Sequence, residues 1–113
     1  MKDAGAYLAI AVAAGLKIGS GSDCLGVMQV NKGLELALQA AVMGPMAALV
    51  ATTRTNAEIL RRERDLGTVE AGKLADLIVV QGDPLKDMSL FQNYQENNIT
   101  LIMQDGNIYK MEA

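Results

Sequence analysis

Segment 16–19, Leu-Lys-Ile-Gly, is a short strand-like run set between two helical stretches, and no second strand-like run appears before residue 74. A β-strand carries a row of backbone donors and acceptors on each side, and these must be paired. A lone strand in a helix–strand order therefore needs a partner: segment 74–80, a second copy, or further polypeptide. Its surroundings are orderly. Residues 4–14 are rich in Ala and Leu and place Tyr7, Leu8, Ala11 and Val12 at helical spacing, with Gly15 where a left-handed cap closes a helix. Apolar side chains cover nearly all sides of that helix, the pattern of an element packed among others. Ser20-Gly21-Ser22-Asp23 ends the strand-like run as a polar loop.

A second helix is expected over 31–43, with Leu34, Leu38 and Ala41 or Val42 on one face. Gly44-Pro45 breaks it and opens the next helix, 46–53, because a proline at the first helical position forfeits no hydrogen bond. Segment 55–61 continues as a short helix. After Asp65 the character changes: 67–72 is turn-like, 74–80 is an apolar strand, and 99–103 and 108–110 flank Gln104-Asp105-Gly106-Asn107. Asp-Gly between two strand-like runs specifies a two-residue hairpin, since both central positions need positive φ. The chain thus divides into an α/β part, 1–65, and a β part, 66–113.

With 50% hydrophobic and 20% charged residues, the chain has the content of a core-forming segment. A net charge of -3, with no basic stretch longer than Arg61-Arg62, argues against nucleic acid and anionic membrane as partners. The apolar stretch 4–16 is too short to span a bilayer, and Asp3 spoils the basic start of a signal peptide. Cys24 is the single cysteine, so no internal disulfide forms, and a reducing cytoplasm fits best. There is no histidine. Any function requiring an imidazole base or metal ligand is incomplete within these residues.

Three blocks carry a family likeness. Segment 13–23, Ala-Ala-Gly-Leu-Lys-Ile-Gly-Ser-Gly-Ser-Asp, resembles an A-x-A-G-V-x-I-x-x-G-[ST]-D stretch. Segment 43–49 with Ala51 and Thr53 resembles M-[ST]-P-x-E-A-L-x-A-x-T. Segment 66–80, with Gly72-Lys73-Leu74-Ala75-Asp76-Leu77, is similar to L-G-x-[IV]-E-x-G-K-x-A-D-L-[IV]-V-[VL], and Gly82-Asp83-Pro84-Leu85 and Gly106 come after it in order. These blocks are those of the amidohydrolase superfamily, and the nearest subgroup resembles imidazolonepropionase-like and Xaa-Pro dipeptidase-like hydrolases.

The resemblance implies the C-terminal part of a (β/α)8 TIM-barrel metal-dependent hydrolase. Residues 1–65 would supply the last barrel helix, the last strand and the C-terminal helices; 66–113 would supply strands of a small composite β-sandwich. As a single chain it would be incomplete. The implied reaction is hydrolysis of a non-peptide or dipeptide C–N bond by metal-activated water, on a small amide or dipeptide substrate. Asp23 falls where the family places a metal-binding aspartate that also accepts a proton, at the end of a barrel strand. The implied cofactor is a divalent metal, zinc foremost. The family's histidines and its bridging Lys or Glu have no counterpart here, and one carboxylate does not close a zinc site. The chain alone is therefore expected to hold no metal and to be inactive, with the preceding part of the barrel, or other copies of itself, as partner.

From spacing alone, Asp23 reads equally well as a loop carboxylate capping the turn that begins at Gly21. Cys24 reads better as a buried filler than as a soft ligand, and Met28, Met43 and Met46 as core or substrate-side lining. A phosphate loop at 19–26 fails, because Val27-Met28 stand where Lys and Ser/Thr are required and Asp23 would repel phosphate. Arg54, Arg61, Arg62 and Arg64 with Glu58, Glu63 and Asp65 form a solvated, ion-paired helix face. The rival expectation for the whole chain is a non-catalytic assembly module, a truncated or split product whose open edges drive oligomerisation.

Overall fold

A computed structural model describes residues 2–23, 25, 32–92 and 98–112. Cys24, Met28 and the start of the expected second helix at Asn31 lie outside the described residues.

Helix α1 spans Lys2–Ala13, and Gly15 follows it at φ 74, the left-handed cap expected there. Helix α2, Lys32–Met43, packs against α1 near Gly5, where an added Cβ would lie 3.8 Å from Val42 Cγ2. Gly44-Pro45 breaks the path as expected, and Pro45 opens α3, Pro45–Val50. The next segment differs from the expected pair of α-helices. Ala51–Thr55 is a π turn, running directly into the short helix α4, Asn56–Ile59. Thr53 Oγ1 donates to Leu49 O at 2.6 Å, a back-bond that competes with the regular ladder inside the rod.

The β part forms one antiparallel sheet in the order β1-β2-β3, from Leu77–Val80, Ile99–Gln104 and Asn107–Met111. Strand β1 is shorter than the expected 74–80, because Asp76 N donates back to Leu74 O in a turn rather than to a neighbouring strand. The β2–β3 hairpin closes at Asp105-Gly106 with φ 49 and 77, as the Asp-Gly signal requires. Register shifts in both ladders bend the sheet. A 3-10 turn, Met88–Phe91, packs against the first turn of α2, where Gly33 leaves no room for a side chain beside Phe91 O.

Segment 16–19 joins no β-ladder among the described residues. It pairs with none of β1–β3, and its neighbourhood is helical. The physical reason is that side chains from α2 and α4, rather than a neighbouring strand, satisfy backbone groups at 19–20. Gln39 Nε2 donates to Gly19 O at 3.0 Å, and Asn56 bonds both the N–H and the carbonyl of Ser20.

The motif block at 66–77 has a structural explanation. The turn at Gly67, φ 97, presses onto the helical rod so closely that an added Cβ would lie 2.7 Å from Ala57 Cβ and 3.2 Å from Thr53 O. Lys73 Nζ donates to Leu66 O at 3.2 Å and to Thr68 Oγ1 at 2.6 Å, tying the turn shut. Asp76 Oδ1 accepts from the Asp105 N–H at 2.7 Å, joining the start of β1 to the hairpin tip. Lys and Asp at these positions are therefore fasteners of the fold.

Burial is thin. Among the described residues the buried apolar side chains are Ala48, Ala51 and Ala57, and no large side chain is fully buried. Tyr7 and Ile10 on α1 are 69% and 65% exposed. Ile78 and Val79, which point to opposite faces of β1, are each 47% exposed, so neither face of that strand is closed. An open apolar cleft of about 690 Å³ separates the sheet from the rod, between Ala57, Leu60 and Leu66 on one side and Ile78, Ile102 and Met103 on the other.

Candidate functional site

The loop beyond the cap at Gly15 is held from several directions. Leu16 N donates to Ala11 O at 3.2 Å, and Lys17 Nζ pairs with Glu58 Oε2 at 2.8 Å, so the segment is tied to both α1 and α4. The Lys17 hydrogen bond and charge, with a smaller contribution from Arg54, hold the Glu58 carboxyl below its ordinary value. Beyond Ser20, residues 20–22 border a cleft of about 550 Å³ whose other walls include Lys32, Glu35 and Thr52.

Asp23 ends this loop, exposed and at φ 53. Aspartate tolerates that left-handed conformation better than most residues, since its short polar side chain bonds locally. Among the described residues no three His, Cys, Asp or Glu side chains come together in a group that could hold a metal ion. With no histidine in the chain, the donor set present does not fit a metal centre.

Two residues that hold the loop were not singled out from sequence. Gln39 is 4% exposed, and its Oε1 has no hydrogen-bond partner among the described residues. Asn56 sits inside the helical rod. Both carried a readable signal: a Gln inside the apolar run 36–43 of α2, and an Asn mid-helix, where its side chain usually disfavours helical backbone.

The amidohydrolase family model matches residues 6–110 of this chain, from the middle of α1 through β3. The chain belongs to the amidohydrolase family. The chain is 35% identical over 75 residues to an imidazolonepropionase of Shouchella clausii (strain KSM-K16), covering 66% of this chain and 16% of that protein. An imidazolonepropionase of Aromatoleum aromaticum is 44% identical over 69 residues, covering 58% of this chain and 17% of its own length. Among solved structures, a prolidase complexed with N-methylphosphonate-L-proline superposes with a TM-score of 0.87 at 33% identity, over 96% of this chain and 26% of that one. A Xaa-Pro dipeptidase with methionine bound in its active site gives 0.81 at 31%, over 94% and 25%. The chain thus spans about a quarter of the prolidase and dipeptidase structures, and less of the imidazolonepropionases. Its helices and three-stranded sheet match a piece of those structures. Among the described residues no helix is long and apolar enough to cross a membrane.

Proposed function

We propose that this chain is the C-terminal portion of a metal-dependent amidohydrolase that cleaves C–N bonds of small amides or dipeptides, and that it supplies Asp23 as its one metal-binding and proton-accepting carboxylate. In that reading residues 1–65 are the end of the (β/α)8 barrel and 66–113 are strands of a composite sandwich. Segment 16–19 takes its place beside a preceding barrel strand, and zinc or another divalent ion is held mainly by residues outside the chain. Asp23, exposed at the end of the loop that follows segment 16–19, with no group of three metal-ligating side chains among the described residues, is the observation that carries the reading. Likeness to a prolidase and a Xaa-Pro dipeptidase supports a dipeptide substrate; likeness to imidazolonepropionases supports a non-peptide amide.

A chimera tests the proposal. The portion of the prolidase that superposes on this chain, over 96% of the chain's length, is replaced by the chain, and the product is assayed for metal content and for hydrolysis of Xaa-Pro dipeptides and of non-peptide amides. The expected outcome is a metal-loaded hydrolase whose rate falls at least about 100-fold in Asp23→Asn, the loss of a proton acceptor typically costing 10²–10⁴. An Asp23→Asn chimera as active as its parent would refute the assignment.

A second reading is favoured by the exposed apolar faces of α1 and β1: a module that assembles with copies of itself in place of the rest of a barrel. It separates from the first by stoichiometry, since copies associating alone need no other polypeptide.

A further inference from the structure

Asn56 is the side chain that holds the Asp23 loop. Its Oδ1 accepts from the Ser20 N–H at 2.8 Å, and its Nδ2 donates to the Ser20 carbonyl at 2.9 Å, with a longer bond to Thr52 O at 3.3 Å. A carboxamide bonding both the N–H and the C=O of one residue reproduces what a neighbouring strand offers in a hydrogen-bonded antiparallel pair. From the other side, Gln39 Nε2 donates to the Gly19 carbonyl at 3.0 Å. Residues 19 and 20 are therefore gripped between α2 and α4 by two amides distant in sequence, three and four residues before Asp23.

Two further features fit this grip. A Cβ on residue 19 would lie 2.3 Å from Asn56 Oδ1 and 2.9 Å from Ile59 Cδ1, so the clamp closes only over glycine. The π turn Ala51–Thr55 immediately precedes Asn56, whose N–H bonds back to Ala51 O. A π turn holds about one residue more than an α turn and so rotates the next residues of the rod by about 100°. Asn56 is thereby presented to the loop while Ala51 and Ala57, on either side of it, stay buried.

We infer that Asn56 is a positioning residue, an amide that substitutes for a strand neighbour of Ser20 and thereby sets the conformation of the turn bearing Asp23. The geometric claim stands on its own; its bearing on hydrolysis rests on the role proposed above for Asp23. Residue-resolved amide hydrogen exchange and backbone NMR on the 113-residue chain test it, comparing wild type with Asn56→Asp, Asn56→Ala and Gly19→Ala. Asn56→Asp keeps an acceptor for the Ser20 N–H, whereas Asn56→Ala keeps neither half of the pair. The expected result is a Ser20 amide that exchanges at least about tenfold faster in Asn56→Ala and Gly19→Ala than in wild type, with Asn56→Asp retaining most of the protection. The positive φ of Asp23 is lost in the same two variants, while amides of β2 and β3 are unchanged. A merely structural role would instead raise exchange evenly over the chain. That even rise, a Ser20 amide already unprotected in wild type, or an Asp23 turn indifferent to Asn56→Ala would each overturn the inference. Asp23→Asn is carried alongside: it leaves Ser20 protection intact, so loss of hydrolysis in the Asp23→Asn chimera bears on the carboxylate's role alone.

Discussion

Gly67 concentrates two constraints on one backbone position. Its φ of 97 lies where side chains are strained, and a Cβ there would lie 2.7 Å from Ala57 Cβ, a buried atom carried rigidly on the backbone of α4. Gly67→Ala is therefore expected to destabilise the fold by about 2–4 kcal/mol, combining the left-handed penalty with overpacking. Gly106→Ala is the control: its φ of 77 carries the conformational penalty, but nothing lies within 4 Å of the added Cβ, and about 1–2 kcal/mol is expected. Urea unfolding of both variants measures the difference, and equal losses would show that the contact with Ala57 is unimportant. Both glycines stood out in sequence as turn residues, but only one could be placed there. Asp105-Gly106 needs no distant partner, whereas the closeness of Gly67 to Ala57 depends on how two separate segments meet.

Segment 16–19 shows the same limit in a whole element. Its apolar character and flanking turns were legible, and so were α1, α2, the break at Gly44-Pro45 and the β2–β3 hairpin, because helix periodicity, proline and turn chemistry act locally. Strand pairing is not local. Here Asn56 and Gln39 satisfy the backbone at 19–20, and Ser20 and Asn56 are 36 residues apart. The π turn was likewise invisible, since no residue type marks it. The ion pair between Lys17 and Glu58 fastens this segment to α4 and makes it sensitive to acid. Because the folded-state pKa of Glu58 lies below its ordinary value of 4.5, the pair's contribution to stability is present above that value. It is lost as pH falls through the lowered folded pKa. Lys17→Met is expected to return the Glu58 titration, followed by carboxyl NMR, toward 4.5 and to shrink the loss of stability in acid. An unchanged Glu58 titration would show that the pair does not form.

The whole molecule is defined by what it leaves open. Three buried alanines and an unclosed sheet are a small core among the described residues, and the exposed faces of α1 and β1 are apolar enough to bind further polypeptide. The isolated chain is expected to self-associate with rising concentration, as sedimentation velocity would read. Replacing Tyr7 and Ile10 together by Ser is expected to weaken that association; a monomer at all concentrations would show that these faces need no cover. Family membership was legible from the blocks at 13–23 and 66–80, and most of the 66–80 block proves to be turn and hairpin fastening. Of the proposed site only Asp23 was legible, from its place at the end of the 13–23 block. Zinc titration of the purified chain by isothermal calorimetry is the most direct test of the claim that this segment contributes one carboxylate to a centre completed elsewhere. The expected result is no saturable binding and no difference between wild type and Asp23→Asn. One zinc held tightly per chain, and lost in Asp23→Asn, would contradict it.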